Sequence, residues 1–528
     1  MSLQWFLSRT VPGDTALVGS QVLRPDNLYR LIGERFDDLF PDEMEFADMY
    51  QTTGRGALPP LLSALVTVFQ MMEEVPDRWA AEYVATRIDW KFALHLPLAY
   101  PGFHFTDLYA YRQRLLEHQK ERVLFDQFLA RLKAQGLFQV RGKMRTDSTH
   151  LLAVIERLSQ LELVTESLRM AMLAVHEAAP QWAEEALPET FFLAYRHRQS
   201  DYRLSPKQIE ERLRQAGKDG FWFLAQVDRA DVAVVRHLPQ VATLRTVLEQ
   251  QFPQGPDQPP AAKRPTGKEV IESPHETEAR YGTKRGQGWI GYKGQVTETC
   301  DPEQPHLIVD LDITGALDND SPELPHIQDR LSERDLLPGE QLIDQGYMSG
   351  QHLVKSAERG ITLLGVPLSD TQGPAGFRQA DFQIDLEAHQ AQCPAGHHNC
   401  VWAERSLPNI EPPAIQIRFD AQICRQCPHF GTCTRSQQGR SLTLHPYRAA
   451  LIARRVEAST ATFKERMHAR AGVEGTISEL VRGHGFRQAR YRGRDKVQLQ
   501  AYFTAVAVDL KRLTRWWSRP QKKETLAA

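Results

Sequence analysis

The stretch "EQLIDQGYMSGQHLVKSAERGITLLGVPL", residues 340–368, decides the fold class of this chain. Apolar runs of strand length stand at its two ends, and residues 350–360 between them have the pattern of a short helix that ends at a glycine. A strand, a helix and a strand in succession predict that the two strands lie parallel in one sheet. The stretch therefore predicts an α/β protein.

Three further stretches have the composition of strands. They read "GKMRTDSTHLLAVI" from Gly142, "GWIGYKGQVTETC" from Gly288 and "HLIVDLDITG" from His306. The last two are expected to be adjacent strands.

Helical patterns precede the first of these strands. Residues 26–137 read as helices, including "TDLYAYRQRLLEHQKERVLFDQFLARLKAQG". This segment is expected to begin with a Thr106 cap and to end at Gly136.

Helical patterns also dominate the rest of the chain. Amphipathic periods cover residues 156–251, and two long helices are predicted at 447–482 and 496–517. The proline-rich, charged residues 252–276 read as an exposed linker.

Length and charge bound the function. A chain of 528 residues predicts two to four domains, because one hydrophobic core rarely serves so long a chain. A formal net charge of −2 excludes a generic polyanion binder, so contact with nucleic acid must come from local basic patches. The most apolar stretch, from Leu58, is too short to cross a bilayer, and the first residues lack the features of a signal peptide. These features predict a cytoplasmic protein.

Three acids stand where metal ligands are expected. Asp147 lies where a predicted strand meets polar residues, and Asp344 ends another strand. Glu474 lies in a predicted helix between Gly472 and Gly475. Glycine in a helix costs roughly 0.5–1 kcal/mol relative to alanine, which indicates that a backbone or a ligand comes close there. Carboxylates at strand ends and on a packing helix can converge into a pocket for two Mg²⁺ or Mn²⁺ ions.

Basic residues cluster after Glu474 and on the first β segments. Arginine binds phosphate oxygens in a bidentate fork, so such a cluster beside a metal site favours contact with DNA over a solvated helix face. The candidate DNA-binding residues are Lys284, Arg285, Lys293, Arg470, Arg482, Arg487, Arg490, Arg492, Arg494 and Lys496.

Five of the six cysteines fall within residues 393–433. A C-x-x-C pair with two further thiolates nearby is typical of a closed tetrahedral zinc site, which would help to fold a segment poor in apolar residues. The preferred ligands are Cys393, Cys424, Cys427 and Cys433, and the candidate replacements are Cys400, His397 and His398. Small buried hydrophobes, a redox pair or an iron–sulfur cluster are the alternatives. Cys300 stands alone and is expected in the core.

Motifs in one shared order carry a family resemblance over nearly the whole chain. They are "GFHF" with "YRQRLLEH", "RTDSTHLLA", "EARYGTKRGQGWIGYK", "LIDQGYMSG", "CRQCPHFGTCT" and "GVEGTISELVRGHGFRQARYRGRDKVQLQ". In these motifs the chain resembles the DDE transposases of bacterial insertion sequences, and among them insertion-sequence family 1182.

The resemblance implies a ribonuclease H-like mixed sheet with flanking helices, whose catalytic triad is Asp147, Asp344 and Glu474. It implies a transposase that binds terminal inverted repeats and carries out strand cleavage and strand transfer with two Mg²⁺ or Mn²⁺ ions. The implied partner is double-stranded DNA, as transposon ends and as target. A nucleoid-associated homodimer is expected, because two ends must be held together.

The helix of Glu474 departs in part from the wider superfamily, which often has a Tyr, Arg, Glu, Lys pattern there. Arg470 stands at the arginine position, one helical turn before Glu474 and on the same face. Met467 stands at the tyrosine position, and Val481 beside Arg482 at the lysine position. The roles of these flanking positions are therefore left open.

With the resemblance, the chain divides into six segments. They are a helical DNA-binding or dimerisation domain (1–137), the first catalytic strand (138–155), a helical insertion and linker (156–276), the catalytic core strands (277–370), a cysteine-rich, zinc-ribbon-like insertion (371–445) and the C-terminal catalytic helices (446–528).

Other interpretations of the same residues stay open. Each aspartate of the triad could cap a turn, and Asp310, Asp312, Asp318 and Asp320 form a competing acid cluster. For the whole chain the alternatives are a metal-dependent nuclease of the same fold that cuts without joining, and a domesticated, inactive DNA-binding protein. The intact acids argue against the inactive protein.

Overall fold

The computed structural model describes residues 2–3, 5–284, 286–369, 373–408 and 410–519. Helices and strands share this part of the chain, which confirms the predicted mixed α/β class. Arg285, a predicted DNA-binding residue, lies outside the described residues.

The helices fall into three groups along the chain. The first group is α1 (Gly13–Val22), α2 (Leu28–Glu34), α3 (Phe36–Leu39), α4 (Pro60–Glu73), α5 (Asp77–Thr86), α6 (Ile88–Ala93), α7 (Thr106–Glu117) and α8 (Val123–Ala134). The second group is α9 (Gln160–Ala178), α10 (Pro180–Ala186), α11 (Glu189–Tyr195), α12 (Pro206–Arg229), α13 (Ala233–Arg236) and α14 (Pro239–Gln251). The third group is α15 (Glu323–Glu333), α16 (Gly350–Glu358), α17 (Ala421–Gln426), α18 (Arg448–Ala458), α19 (Ala461–His468), α20 (Gly472–Gly483) and α21 (Arg494–Trp517).

Short 3₁₀ turns and three β-sheets complete the structure. The 3₁₀ turns are Glu43–Met49, Gln345–Tyr347, Gln379–Asp381 and Ala469–Ala471. The strands are β1 (Lys143–Leu152), β2 (Arg280–Lys284), β3 (Gln287–Thr299), β4 (Ile308–Gly315), β5 (Glu340–Ile343), β6 (Thr362–Leu364), β7 (Gln383–Asp385), β8 (Gln390–Gln392), β9 (Asn399–Leu407), β10 (Ile410–Phe419) and β11 (Ser441–Leu444).

The main sheet is mixed and has β1 at its centre. On one side β5 lies parallel to β1, and β6 lies parallel to β5. On the other side β3 lies antiparallel to β1, and β4 and β2 pair with β3 along its far edge. The parallel pairing predicted for residues 340–368 and the adjacency of the two strands before it are both confirmed.

The connection from β5 to β6 follows from its local sequence. The Ser349 side chain accepts the N–H of His352 at 3.1 Å and so caps the start of α16. After the helix, Gly360 has a φ of +70°, a left-handed conformation that glycine adopts without steric cost. The chain can therefore reverse and return alongside β5.

The largest hydrophobic core joins the N-terminal helices to this sheet. In α4 every residue from Pro60 to Met72 is buried, and this helix packs against α21. Leu61 of α4, Val296 of β3 and Val506 of α21 belong to one continuous cluster. The apolar run from Leu58 is thus a buried helix, and none of the described helices is long and apolar enough to cross a membrane.

Helices α9 to α14 have a separate core. Leu163, Phe223 and Leu244 are completely buried in it. Ser159 and Ser205 begin α9 and α12 with complete capping boxes. This group starts shortly after β1 and ends before β2, so it is inserted between two strands of the main sheet.

The expectation of an exposed linker at 252–276 is wrong for its last part. Residues 270–274 are buried, and the carboxylate of Glu272 pairs with Arg264 at 2.7 Å. A buried charge needs a partner, and this stretch supplies one from its own sequence. Ile271 in this stretch belongs to the core of the helical insertion, so the segment packs against that insertion.

The cysteine-rich part has a small core of its own. Strands β9, β10 and β11 form an antiparallel sheet, and β7 and β8 form a second, two-stranded sheet. Phe382, Ile417 and Leu442 are among the few buried apolar residues there.

Two predicted helices are divided. The segment from Thr106 forms α7 and α8, because Gln119 adopts a left-handed φ of +54° between them. Thr106 begins α7 without capping it. The helix predicted at 447–482 is divided into α18, α19 and α20, and the side chain of Thr460 caps α19 by accepting the N–H of Phe463.

Candidate active site

Two of the three candidate acids lie side by side on the main sheet. Asp147 is in β1, opposite Val296 of β3. Strand β5 runs parallel to β1 with Thr146 opposite Ile343, and Asp344 follows directly after β5. Neighbouring strands are only about 4.8 Å apart, so the residues that follow this pair are adjacent. Asp147 and Asp344 therefore meet at the carboxyl end of β5.

The third acid, Glu474, joins them through one arginine. Arg470 lies in the 3₁₀ turn that precedes α20. Its Nη2 is 3.0 Å from Oδ2 of Asp147 and 3.2 Å from Oδ1 of Asp344. Its Nη1 is 3.9 Å from Oε1 of Glu474. A single guanidinium thus contacts all three carboxylates.

The three carboxylates differ in their exposure. The exposed fraction of the side chain is 17% for Asp147, 52% for Asp344 and 71% for Glu474. Burial raises the pKa of Asp147 above its usual value, while the N–H of Ser148 and the charge of Arg470 act in the opposite direction. The site is therefore buried at the strand and exposed to solvent at Glu474.

The face of α20 that carries Gly472 is held in place by a buried ion pair between Arg145 and Glu298. Nε of Arg145 donates to Oε1 of Glu298 at 2.7 Å, and Nη1 of Arg145 donates to the carbonyl of Ala469 at 2.7 Å. A Cβ at Gly472 would stand 1.9 Å from Nη1 of Arg145. The prediction of a close approach is thus confirmed at Gly472, where the approaching group is a guanidinium.

The carboxylate of Glu298 connects four elements. Its side chain is completely buried on β3 and is paired with Arg145 of β1. Its Oε2 accepts from Nη1 of Arg512 in α21 at 2.7 Å and from the hydroxyl of Thr476 in α20 at 2.6 Å. This cluster holds the helix of Glu474 against the strand of Asp147.

Gly475 does not fit the same explanation. Among the described residues, no atom of another part of the chain lies within 4 Å of a Cβ built there. No other backbone of the described residues therefore approaches Gly475, and the approach of a ligand to this glycine stays a prediction.

The competing acids on β4 do not join the site. Along β3, Asp147 is opposite Val296, whereas Asp310 and Asp312 are opposite the two residues that flank Val296, Thr297 and Gln295. Successive side chains of a strand point to opposite faces, so Asp310 and Asp312 lie on the other face of the sheet from Asp147. Guanidiniums of α15 neutralise both of them, as in the 2.8 Å contact between Arg330 and Asp310. Both acids are therefore used in ion pairs within the fold.

Arg487 and Arg490, both predicted to bind DNA, contact the chain's own backbone. Nη1 of Arg487 donates to the carbonyl of His150. Nη2 of Arg490 donates to the carbonyl of Val75 at 2.6 Å, which ties the segment after α20 to the N-terminal helices.

The other candidate cations are distributed around the sheet. Nζ of Lys293 donates to the carbonyl of Asp318 at 2.6 Å, and Nε of Arg494 donates to the carbonyl of Ile313 at 2.9 Å. Lys284, at the end of β2, is exposed and close enough to Asp147 to favour its ionised form. Arg482 and Arg492 are exposed, and Lys496 is half-buried.

The four preferred zinc ligands line one cavity. Cys393, Cys424, Cys427 and Cys433 surround it together with His397 and His398. Burial raises the pKa of the Cys433 thiol, and the other three thiols act in the same direction. Cys400 is exposed, and its Sγ faces the carbonyl of Arg418 at 3.4 Å. Cys300 is buried, as expected.

The geometry of both clusters stops short of a metal site. Within the described part of the chain, no group of three His, Cys, Asp or Glu side chains is arranged so that it could hold a metal ion. At the three acids, Arg470 stands among the carboxylates. At the cysteines, the side chains share a cavity without forming such a group. The zinc site therefore stays a prediction.

Sequence reasoning missed the residues that position the site. Arg145, Glu298, Thr476 and Arg512 come from four elements, and they form no motif of fixed spacing. The available signal was Gly472, which indicated close contact without identifying the partner.

Two carboxylates at one end of the sheet and a third from α20 thus form an acidic site around one guanidinium. Two family models match the chain, one before and one after the strands of this sheet in the sequence. Residues 18–114 match a model described as Transposase domain (DUF772), and residues 392–514, which include Glu474, match one described as Transposase DDE domain. No curated protein and no solved structure matches the chain. These matches show transposase domains and support a DDE transposase as the class of this protein.

The two glycines of α20 give a test of how this helix is held. We expect Gly472→Ala to destabilise the protein by about 3 kcal/mol, because its Cβ would force Arg145 away from the buried Glu298. Gly475→Ala is the matched control and should be neutral or stabilising by up to ~1 kcal/mol, since alanine favours a helix. Urea unfolding followed by circular dichroism measures both. Equal stability of the two variants would contradict the account of Gly472.

Proposed function

We propose that this protein is a DDE transposase that binds the terminal inverted repeats of its element, cuts there and joins the ends to target DNA. The observation that carries the proposal is the convergence of Asp147, Asp344 and Glu474 on Arg470. The two transposase domain matches support the same class. A homodimer is part of the proposal, because two DNA ends must be held together.

The main sheet supports a ribonuclease H-like core. It is a mixed sheet with helices packed on it, and it carries Asp147 on its central strand and Asp344 after the neighbouring strand. Glu474 comes from a helix near the end of the chain. This arrangement fits the fold that the family resemblance implies.

The three carboxylates suit Mg²⁺ or Mn²⁺. These ions take a few carboxylate oxygens and share their other positions with water and phosphate. Asp147, Asp344 and Glu474 already gather around one cation, the guanidinium of Arg470, which supports a pocket that attracts positive charge. Two ions bound there would supply activation of the attacking water or 3′-hydroxyl and stabilisation of the leaving oxygen.

The protein's own residues prepare this site for a phosphodiester. Asp147 is held in a paired strand and accepts the N–H of Ser148 at 2.7 Å, so its position is fixed. Burial, Arg487 and Lys284 lower the pKa of His150 to about 4, so this ring is neutral at pH 7. Positive charge near the acids therefore comes from lysine and arginine, which bind phosphate at any physiological pH.

Exposed basic residues supply the proposed contacts to DNA. Arg482 at the end of α20 and Arg492 before α21 are exposed, whereas Arg490 is used within the fold. Lys284 is close enough to Asp147 for its charge to favour the ionised carboxylate. Phosphate contacts of this kind position DNA without reading its sequence.

Zinc is proposed as a structural ion of the cysteine-rich segment. The N–H of His397 faces Sγ of Cys393 at 3.4 Å, and the N–H of Arg440 faces Sγ of Cys424 at 3.4 Å. Backbone N–H groups directed at sulfur are typical of the surroundings of metal-bound cysteines. The small apolar core around Ile417 supports a need for such an ion.

Charge removal at the acids tests the catalytic proposal. We expect Asp147→Asn, Asp344→Asn and Glu474→Gln each to reduce cleavage of end DNA about a thousandfold, if the lost ligand costs ~4 kcal/mol of transition-state stabilisation. Asp495→Asn, at an exposed acid in the first turn of α21, is the control and should cleave normally. A triad variant with wild-type cleavage would exclude that residue. Strand transfer with pre-cut ends separates a transposase from a nuclease that only cuts.

Metal content tests the zinc proposal. Purified protein should contain about one zinc per chain by elemental analysis, and Cys427→Ser should lose it. Cys400→Ser should retain the zinc, because Cys400 is exposed and stands apart from the shared cavity. Folded wild-type protein without zinc would defeat this proposal.

The salt dependence of DNA binding tests the arginines. Arg482→Ala and Arg492→Ala should each weaken binding to end DNA and to random duplex equally, and each should flatten the slope of log affinity against log salt by roughly 0.9. Arg490→Ala should lower stability instead, because Arg490 binds the carbonyl of Val75. An unchanged slope in both variants would show that neither Arg482 nor Arg492 contacts DNA. A loss confined to end DNA would make them base readers.

A further inference from the structure

One arginine occupies the centre of the acidic site. Three carboxylates and one guanidinium leave this group with a net charge of −2, and Arg470 contacts every acid in it. We propose that Arg470 is an internal counter-cation, which holds the three acids together before divalent ions bind and which those ions displace. This inference rests on the proposed function and adds how the site acquires its ions.

The oxygens of Asp147 show why displacement is favoured. Its Oδ1 accepts the N–H of Ser148 at 2.7 Å, and its Oδ2 accepts from Nη2 of Arg470 at 3.0 Å. Both oxygens are therefore engaged. The N–H of Ser148 belongs to a paired strand and cannot move away, whereas Arg470 reaches the site through a flexible side chain. Each oxygen keeps a second lone pair, but an ion bound there would stand next to the guanidinium, and repulsion between the two cations favours departure of the flexible one.

The hold on Arg470 is also weaker than that on Arg145. Arg145 is anchored by the completely buried Glu298 and by the carbonyl of Ala469. Arg470 donates one hydrogen bond to Asp147, and its buried Nε has no hydrogen-bond partner among the described residues. Its other two carboxylate partners are half or more exposed. Charge, more than a complete set of hydrogen bonds, keeps Arg470 in place, and an incoming cation removes that attraction.

Competition between Arg470 and the ions couples ion binding to DNA binding. A phosphate that draws the guanidinium away from the acids frees Asp147 for an ion. By linkage, bound ions free Arg470 for a phosphate to the same degree. The pocket thus binds ions weakly until DNA arrives, which limits metal-dependent chemistry in the absence of substrate.

Calorimetric titration of Mn²⁺ into the full-length, DNA-free protein tests the competition. Arg470→Gln should bind Mn²⁺ about tenfold more tightly than wild type, which is within the range typical of coupled sites. Arg470→Lys keeps the charge and should stay near the wild-type affinity. Arg515→Gln removes an exposed positive charge from α21 and should leave the affinity unchanged.

A second titration adds a short random DNA duplex to the protein. The duplex should tighten Mn²⁺ binding to wild type by a similar factor and leave Arg470→Gln unaffected. Asp344→Asn and Glu474→Gln, titrated in parallel, report whether the Mn²⁺ is bound by the acids.

The outcomes separate the inference from the function on which it rests. Acid-dependent Mn²⁺ binding with equal affinity in wild type and Arg470→Gln overturns the counter-cation and leaves the proposed metal site intact. Mn²⁺ binding that none of the acid variants weakens overturns both the counter-cation role of Arg470 and the proposed metal site. If Arg470→Gln is unfolded by circular dichroism, the duplex titration of wild type and Arg470→Lys decides, and the absence of tightening in both overturns the coupling.

Discussion

The structure depends on one buried carboxylate. Glu298 is completely enclosed, and a buried charge without partners would cost several kcal/mol. Its partners come from a strand, from the helix of Glu474 and from the last long helix, through Arg145, Thr476 and Arg512. These elements must therefore assemble in one arrangement, and that arrangement places the three candidate acids together.

Residues on one side of α20 hold the helix in place, and residues on the other side belong to the candidate site. On one face the guanidinium of Arg145 occupies the space that a side chain at Gly472 would need, and it donates to Glu298 and to the carbonyl of Ala469. On the other side, Arg470 in the turn before α20 is held mainly by charge, near the exposed Glu474. A site whose geometry must persist while its ligands change needs firmly held supporting residues, such as Arg145, and a more weakly held residue among the ligands, such as Arg470.

Separate hydrophobic cores give the chain a modular character. The N-terminal helices share one core with the main sheet, whereas the helical insertion and the cysteine-rich segment each have their own. The two transposase domain matches fall on the first core and on the part of the chain from the cysteines to α21. Asp147 and Asp344 lie outside both matches and reach Glu474 only through the sheet and Arg470.

The sequence by itself determined the α/β class, the parallel unit at 340–368 and the three acids as candidates, because strand patterns, helix ends and glycines are local signals. It did not determine where helices break within long periodic segments, since a single left-handed residue such as Gln119 decides this. Only the tertiary structure decided which charges are partners. It assigned Asp310 to Arg330 on the opposite face of the sheet, and it placed Arg470 among the acids. Ion pairs depend on distance in space, and residues hundreds of positions apart leave no spacing in the sequence from which that distance can be inferred.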